Sequence, residues 1–275
     1  MPELPEVETV RRIVQPQVVG QSIKAVQILN EQIIAHPTPD EFMQRLQGRT
    51  ITSMGRRGKF LLFNLDNGDR LVLHLRMTGQ LLVTPQDYPL EKHTHFIADL
   101  SGGKQIRFVD VRRFGRFWYL GKEEPDTVTG IDKLGPEPDD PKLNAEYLTE
   151  KLGKRKKAIK EALLDQSIVA GIGNIYADEI LFACGIHPEK KCSDLTRGEM
   201  ILLAELIPEE IAYYTDKNQT TPEEYLAGAG QDYQNTPYLH VYGHAGKPCP
   251  VCGAILEKTT IGGRTSVYCP KCQKK

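Results

Sequence analysis

Two pairs of cysteines near the carboxyl end are the strongest constraint on how this chain folds. Cys249 and Cys252 form one CxxC pair, Cys269 and Cys272 form the other, and sixteen residues separate the two pairs. Two such pairs on a short antiparallel hairpin can place four thiolates tetrahedrally around Zn²⁺, and closed four-thiolate sites are rarely catalytic. The spacing therefore predicts one structural zinc ion, held by a compact module over residues 245–275.

The tip of the predicted zinc hairpin carries an arginine between small residues, in the run Gly262-Gly263-Arg264-Thr265. An arginine on a glycine-flanked tip is well placed to reach a phosphate. A solvated turn residue explains Arg264 equally well on local grounds.

Composition narrows the class of protein. The longest apolar runs fall short of the ~18 residues of a membrane span, and the start lacks the basic and apolar regions of a signal peptide. We therefore expect a cytoplasmic protein. The formal net charge of −1 argues weakly against a nucleic-acid binder. However, residues 151–160 hold six Lys or Arg, and 56–59 and 112–116 are further basic clusters, so the charge is separated along the chain.

The pattern of short apolar runs predicts two different regions. A helix is predicted over 3–15 and ends at Pro16. From about residue 18 to 120, short β-like runs alternate with turn signals, which predicts a sandwich or barrel. The predicted strands are 23–29, 60–65, 70–75, 80–83, 94–99, 105–110 and 117–120, with one short helix at 39–47. The later predicted helices are 143–152, 154–166, 174–184, 195–214 and 222–226, and residues 227–240 are expected to form a mobile loop.

The amino terminus combines a potential nucleophile with two acids. If Met1 is removed, the nitrogen of Pro2 becomes a secondary amine that can form a Schiff base. An α-amino group titrates near pH ~8, so more of it is unprotonated at neutral pH than of a lysine. Glu3 and Glu6 lie close enough in sequence to transfer protons. An ordinary disordered terminus is the competing interpretation.

A glycine-rich turn between two predicted helices suggests an anion site. Gly171 and Gly173 let the backbone approach a ligand, and Asn174 is a suitable N-cap for the second helix. Free N–H groups at a helix start bind anions. The upstream helix is predicted to begin with four basic residues from Lys154, which oppose its macrodipole unless an anion offsets them. With the zinc hairpin, this favours binding to the DNA backbone, although a helical hairpin with a solvated basic start also fits.

A strand that ends in a polar turn is the third signal. His74 and Arg76 alternate to one face of the predicted strand and could hold a phosphate. Met77 in the following turn is either a core residue or an exposed apolar wedge. Arg112 and Phe114 form an arginine-plus-aromatic pair in another loop, and such pairs can fill a gap in a base stack.

These motifs together resemble those of bacterial formamidopyrimidine-DNA glycosylases, over nearly the whole chain and in the same order. The matching motifs are PELPE at the start, RRGK, HLRMTG, DVRRFG, DQ–GIGN–IYADE, and GGR with the two CxxC pairs. The resemblance implies an α+β fold of two domains. The first is an N-terminal β-sandwich flanked by helices, and the second is helical, with a helix–two-turn–helix motif and a zinc-finger β-hairpin.

The resemblance also implies an activity in base excision repair. Such enzymes bind double-stranded DNA, flip out oxidised purines such as 8-oxoguanine and formamidopyrimidines, and remove them. They then cut the strand by β- and δ-elimination. We accordingly expect a monomer without a membrane association, near the nucleoid. The expected divisions are a catalytic domain at 1–133, a linker at 134–141, a helical DNA-binding domain at 142–244 and the zinc hairpin at 245–275.

Residue roles follow from the same resemblance. It makes Pro2 the nucleophile, Glu3 the proton donor that helps to open the sugar ring, and Glu6 a second acid near the site. Lys59 matches a lysine that contacts phosphate at the lesion and assists catalysis. The remaining predicted DNA contacts are the phosphate-gripping His74, Asn174, Tyr242 and Arg264 (the last also counted with the catalytic residues), the void-filling Met77, Arg112 and Phe114, and the basic Arg76 and Lys154.

Two other functions were considered beside the one that the resemblance implies, and the chain departs from the family pattern at two places. An endonuclease VIII-like glycosylase for oxidised pyrimidines is the nearest alternative, but that branch typically has Gly where this chain has Leu4. A non-catalytic zinc-ribbon protein that binds damaged DNA would not need a free Pro2 amine. The loop at 227–240 cannot be aligned with the lesion-contacting residues of the family, and Thr78 receives no role.

Overall fold

The computed structural model describes residues 2–231 and 233–275, which form two compact units. The first unit comprises Met1–Asp132 and Asn218–Gln234, and the second comprises Lys133–Lys217 and Asn235–Lys275. The removal of Met1 and the part of the 227–240 loop at Asp232 lie outside the described residues. Among the residues that the structure describes, no helix is both long and apolar enough to cross a membrane. The predicted domain boundaries stay a prediction.

The first unit is built around two β-sheets. Its elements up to Leu120 are helices α1 (Leu4–Val18) and α2 (Pro39–Leu46) and strands β1 (Ile23–Ile28), β2 (Ile34–His36), β3 (Ile51–Arg57), β4 (Phe60–Leu65), β5 (Arg70–His74), β6 (Gly79–Pro85), β7 (Thr94–Leu100), β8 (Lys104–Asp110) and β9 (Arg116–Leu120). One sheet has the order β1-β7-β8-β6 and the other β2-β9-β5-β4-β3. The predicted β-sandwich flanked by helices is confirmed.

Aromatic side chains form the centre of the core of this unit. Phe96 and Phe117 lie with ring centroids 4.9 Å apart, and Phe42 from α2 meets each of them edge-on at 6.2 Å. Such offset and edge-to-face pairs add to the stabilisation that area burial provides. Helix α2 is therefore part of the core, which explains its strongly amphipathic sequence.

Two loops cross between the sheets at one end of the sandwich. In one sheet His74 pairs with Arg116, and in the other Gly79 pairs with Asp110. Residues 75–78, here called the Met77 loop, join β5 to β6, and residues 111–115, the Phe114 loop, join β8 to β9. The register therefore places the two loops side by side.

The second unit contains helices and a hairpin. Its elements are α3 (Ala145–Leu152), α4 (Ile159–Leu163), α5 (Asn174–Ala183), α6 (Arg197–Lys217), and the strands β10 (Glu257–Ile261) and β11 (Arg264–Tyr268). A last helix, α7 (Pro222–Ala227), lies in the segment that belongs to the first unit. The predicted helical domain with a zinc-finger β-hairpin is confirmed.

A buried ion pair connects the helices of the second unit to the hairpin. Lys160 Nζ lies 2.6 Å from Asp178 Oδ1, and both side chains are fully buried. Asp178 also accepts hydrogen bonds from Ser266 Oγ (2.5 Å) and the backbone N–H of Val267 (3.0 Å), while Lys160 donates to the carbonyl of Thr265 (3.1 Å). These bonds offset the cost of removing two charges from water and hold β11 against α4 and α5.

Two predicted helix boundaries, the end of α1 and the start of α4, are wrong. Helix α1 continues through Pro16 to Val18, because a proline in the last turn removes only one backbone bond while Val14 and Val18 are buried. Helix α4 begins at Ile159 and not at Lys154. The backbone around residues 155–159 instead bonds to 190–193, with Cys192 N–H donating to Lys157 O at 2.9 Å and Ile159 N–H donating to Lys190 O at 2.8 Å.

Helix α5 begins at Asn174 as predicted, but the predicted N-cap residue is wrong. Gly173, not Asn174, is its N-cap residue, and Asn174 is its first helical residue. The basic residues from Lys154 therefore precede α4 in an irregular segment. They are not part of the first turn of a helix, so the predicted opposition to a helix macrodipole is wrong for this chain.

Candidate active site and DNA-binding surfaces

The amino terminus is an ordered part of the first unit. Helix α1 begins with a capping box, in which the Glu3 side chain accepts from the backbone of Glu6 while Glu6 Oε2 accepts from the Glu3 N–H at 2.8 Å. Pro5 occupies the first turn, where a missing N–H costs nothing. Glu3 is 0 % exposed and Glu6 4 % exposed. The competing interpretation of a disordered terminus is wrong for the described residues, and two carboxyl groups lie next to Pro2.

Lys59 lies in the tight turn between β3 and β4, after Gly58 with a φ of +53°. Arg56 organises this turn by donating from Nη1 to the carbonyl of Gly58 at 2.8 Å. The same guanidinium lies 3.5 Å from Glu8 of helix α1. Polar contacts thus link helix α1, which begins two residues after Pro2, to the turn that carries Lys59. We predicted no role for Glu8 from the sequence, because Glu8 and Arg56 are 48 positions apart and no local pattern indicates that they pair.

His74 is a neutral hydrogen-bond donor. Its Nδ1 accepts the backbone N–H of Arg76 at 2.9 Å, so the proton resides on Nε2, and its ring packs edge-on against Phe60 with centroids 4.6 Å apart. Burial, together with the positive charges of Arg76 and Lys59, lowers the pKa of His74 to about 3. A neutral imidazole can still donate from Nε2 to a phosphate oxygen.

Arg76 does not continue the strand alternation that was predicted. Strand β5 ends at His74, and Arg76 has a φ of +58° in the turn that follows. The period of two that would place His74 and Arg76 on one face applies only within a strand. The backbone N–H of Arg76 orients the His74 ring. The prediction that the two side chains share one face of a strand is therefore wrong.

We expect the His74 ring to stay uncharged down to about pH 3. Because the unfolded chain would bind this proton near pH 6.5, His74 should destabilise the fold progressively as the pH falls from that value towards 3. NMR titration of the ring nitrogens measures the pKa directly. Replacement His74→Gln should reduce the loss of unfolding free energy between pH 7 and pH 4. A His74 titration near pH 6.5 would contradict the structure.

Three of the predicted void-filling residues lie together on the surface. Met77 is 41 % exposed and Phe114 45 % exposed, which is unusual for large apolar side chains. The Arg112 guanidinium lies 4.6 Å from the centroid of the Phe114 ring, and its Nη1 lies 3.7 Å from Met77 Sδ. The alternative that Met77 is a core residue is wrong. The Met77 loop and the Phe114 loop thus present one apolar and cationic cluster.

In the second unit, Asn174 and Arg264 belong to adjoining elements. Asn174 Nδ2 donates to the carbonyl of Thr265 at 3.1 Å, which ties the start of α5 to the hairpin next to Arg264. Arg264 is exposed, and Gly262 and Gly263 before it have φ values of +55° and +76°. Residues with a side chain rarely adopt such values. The turn therefore requires these glycines, and it leaves the arginine at the hairpin tip.

Tyr242 is positioned by a carboxylate that the sequence had not singled out. Glu179, 1 % exposed, accepts backbone N–H groups from Tyr242 (2.8 Å), Val241 (2.9 Å) and His240 (2.8 Å), and the hydroxyl of Tyr214 (2.7 Å). Burial alone would raise the pKa of Glu179, but the contact with the His240 side chain at 3.4 Å and the hydrogen bonds from Tyr242 and Tyr214 outweigh it and lower the pKa. The charged carboxylate fixes the backbone that carries Tyr242. Lys154 is exposed on the irregular segment before α4.

The four cysteines fit a zinc ion. All four sulfur atoms lie within 4.8 Å of one another, with Cys249 and Cys272 3.9 Å apart and Cys252 and Cys269 3.5 Å apart. Tetrahedral zinc with bonds of about 2.3 Å separates its sulfur ligands by about 3.8 Å. The predicted structural zinc site is confirmed. Bound zinc would join the loop at Cys249 to the loop at Cys269 and fix the base of the β10–β11 hairpin.

Comparisons with known proteins cover nearly the whole chain. Three family models match: the formamidopyrimidine-DNA glycosylase N-terminal domain at residues 1–117, the H2TH domain of the same enzymes at 134–220, and the zinc finger found in FPG and IleRS at 246–275. The formamidopyrimidine-DNA glycosylase of Desulforamulus reducens is 44 % identical over 275 residues, covering 100 % of this chain and 99 % of that protein.

Solved structures agree with the sequence comparisons. The chain is similar to Lactococcus lactis Fpg bound to DNA with an abasic site, with 34 % identity, a TM-score of 0.91 and full coverage of both chains. It is also similar to the same enzyme bound to DNA with a FAPY-dG lesion, with 36 % identity, a TM-score of 0.91 and coverage of 99 % of this chain and 100 % of the other.

Proposed function

This chain belongs to the formamidopyrimidine-DNA glycosylase family, and on that basis we propose that it excises oxidised purines from duplex DNA through a Schiff base on Pro2. Its activity class is that of a base-excision-repair DNA glycosylase with AP lyase activity. The buried pair of Glu3 and Glu6 beside Pro2, on an ordered helix start, is the observation that carries the proposal.

The proposed reaction begins at the nitrogen of Pro2. Its lone pair attacks C1′ of the damaged nucleoside, and the bond from C1′ to the base breaks with its electrons leaving on the base. Glu3 donates a proton that opens the sugar ring, and a Schiff base forms between Pro2 and C1′. Loss of a proton and of the 3′ phosphate, followed by loss of the 5′ phosphate, then cuts the strand on both sides of the sugar.

Hydrogen-bond donors of each unit contribute phosphate contacts in this proposal. In the first unit, Lys59 and the Nε2–H of His74 contact the phosphates near the lesion. In the second unit, Asn174, Tyr242 and Arg264 contact the backbone, and Arg264 also supports catalysis. Contacts of this kind position a protein on DNA without reading its sequence. Arg76 and Lys154 add positive charge to the two surfaces.

The lesion class rests on two arguments. The solved relative bound to a FAPY-dG lesion supports an oxidised purine substrate, and Leu4 and the RRFG motif separate the chain from the endonuclease VIII-like branch. The family match does not favour that alternative or the non-catalytic zinc-ribbon protein. We propose that the protein acts as a monomer on DNA in the cytoplasm, at the nucleoid.

Borohydride trapping tests the proposal. Protein shown by mass spectrometry to begin at Pro2 is incubated with a duplex that contains 8-oxoguanine, and borohydride reduces any Schiff base to a stable amine. We expect a covalent protein–DNA adduct whose modified peptide begins at Pro2. A parallel duplex with an oxidised pyrimidine compares the lesion classes. An absence of adduct with both duplexes and with abasic DNA would refute the lyase mechanism.

A further inference from the structure

We propose that Asp110 and Thr78 are positioning residues that hold the Met77 loop and the Phe114 loop together as one rigid wedge. This inference rests on the proposed function and on the predicted void-filling role of Met77, Arg112 and Phe114, which would replace the extruded base in the DNA stack. Neither Asp110 nor Thr78 belongs to the predicted site. The contacts between the two loops carry the argument.

Asp110 is a fully buried carboxylate at the end of β8. Its Oδ1 accepts a short hydrogen bond from Thr78 Oγ1 and a bond of 3.1 Å from the Arg112 N–H, and its Oδ2 accepts the Gly115 N–H at 2.8 Å. A carboxylate removed from water is costly unless donors surround it. The donors here come from both loops, so the charge of Asp110 is stabilised only when the two loops are in place together.

Thr78 is a direct bridge between the loops. Its hydroxyl donates to Asp110, and the same oxygen lies 3.3 Å from the Arg112 N–H, which it accepts. A hydroxyl has one donor and two acceptor positions, so both bonds can exist at once. The residue after Met77 is thereby bonded to the backbone of Arg112, which couples the Met77 loop to the Phe114 loop.

Two glycines allow both loops to pack closely on the same aromatic ring. Gly79 begins β6 directly after the Met77 loop, Gly115 is the last residue of the Phe114 loop, and both pack on the ring of Phe108. A Cβ at Gly79 would lie 2.9 Å from that ring, and a Cβ at Gly115 would lie 2.2 Å from it. His95 Nε2 also lies 2.8 Å from the carbonyl of Asp110 and anchors the strand end. The wedge thus stands on a closely packed base.

Rigidity has a direct consequence for base extrusion. A wedge that enters a base step must offset the cost of unstacking. Side chains and loops that are ordered before binding lose less conformational entropy when they bind. A loosened wedge should therefore weaken extrusion of the lesion while the chemistry on an abasic sugar that needs no extrusion continues.

The test compares Thr78→Val, which keeps the shape and removes the hydroxyl, with Thr78→Ser, which keeps the hydroxyl. We expect Thr78→Val to lower kcat/KM on an 8-oxoguanine duplex by about tenfold or more, as for a lost hydrogen bond to a charged acceptor. Unstacking beside the lesion increases the fluorescence of a 2-aminopurine placed there. This increase should be smaller with Thr78→Val than with the wild type. Thr78→Ser should restore both readouts, and all variants should trap equal adduct on a single-stranded abasic oligonucleotide.

Asp110→Asn provides a second variant, because an amide cannot accept all three donors. With this variant we expect a smaller 2-aminopurine signal and a lower kcat/KM on the duplex. Adduct trapping on the single-stranded oligonucleotide should be retained, which shows that the site is folded. The proposal is overturned if Thr78→Val matches the wild type on the duplex, or if it loses single-stranded trapping to the same degree. Wild-type protein that traps no adduct on either DNA would instead refute the proposed function itself.

Discussion

A chain that retains one residue before Pro2 is expected to lose strand cleavage by a factor of about 10³ or more, as when the nucleophile of an enzyme is removed. The extra residue turns the Pro2 nitrogen into an amide, whose lone pair is delocalised and cannot attack C1′. The capping box of Glu3 and Glu6 lies after this position and uses none of its atoms. The thermal unfolding midpoint should therefore stay close to that of the unextended protein.

The matched control for this prediction is Pro2→Gly at unchanged length. It keeps a terminal amine, so borohydride should still trap an adduct, although at a lower rate because the amine is no longer held in a ring. Single-turnover cleavage of abasic DNA and mass spectrometry of each amino terminus are the measurements. An adduct formed by the extended chain would locate the nucleophile on another amine, with Lys59 as the first candidate.

Removal of zinc is expected to weaken DNA binding by a factor of about 100 or more, since zinc binding and folding of such modules are coupled. The apolar cluster beside the cysteines is small: its buried members are Phe182, Val241, Cys249, Leu256, Val267 and Cys269. A module of this size rarely folds without a metal or disulfides. Without zinc, the hairpin tip with Arg264 should lose its fixed geometry.

The first unit should remain folded when zinc is removed, because its two sheets contain none of the four ligands. Fluorescence anisotropy with an abasic-site duplex measures the affinity, and circular dichroism follows the β signal. Cys252→Ser should reproduce the effect of the chelator, whereas Cys184→Ser, which changes a buried thiol outside the cluster, should bind one zinc and DNA normally. Full affinity in the zinc-free protein would remove the hairpin from the DNA-binding surface.

Local patterns in the sequence predicted most of the fold. Short apolar runs between turn signals located seven of the strands, because strand alternation and turn chemistry depend on neighbouring residues. The spacing of the four cysteines located the zinc site for the same reason. The predicted start of α4 was wrong because its backbone bonds to a segment that is distant in sequence. Lys157 bonds to Cys192, and that pairing prevents the helix that residues 154–158 would favour.

The residues that support the candidate site could not be predicted from the sequence for a related reason. Asp110, Glu179 and the Glu8–Arg56 contact each act on residues brought close by the fold. A single acidic residue in a strand or helix has no pattern that distinguishes it from a solvated one. The exposed residues that are proposed to contact DNA could be matched by motif, whereas the groups that orient them become apparent only in the folded structure.

The chain leaves the first unit at Asp132 and returns to it with Asn218–Gln234. Asn218 bonds to Thr9 of α1 at 3.0 Å, and Tyr225 is buried in the core of that unit. On a ribosome, which adds roughly 5–20 residues per second, the first unit cannot be completed when its own sheets emerge. Several more seconds pass before residues 218–234 are synthesised, so the last segment of the first unit is made after a long segment that is not part of that unit.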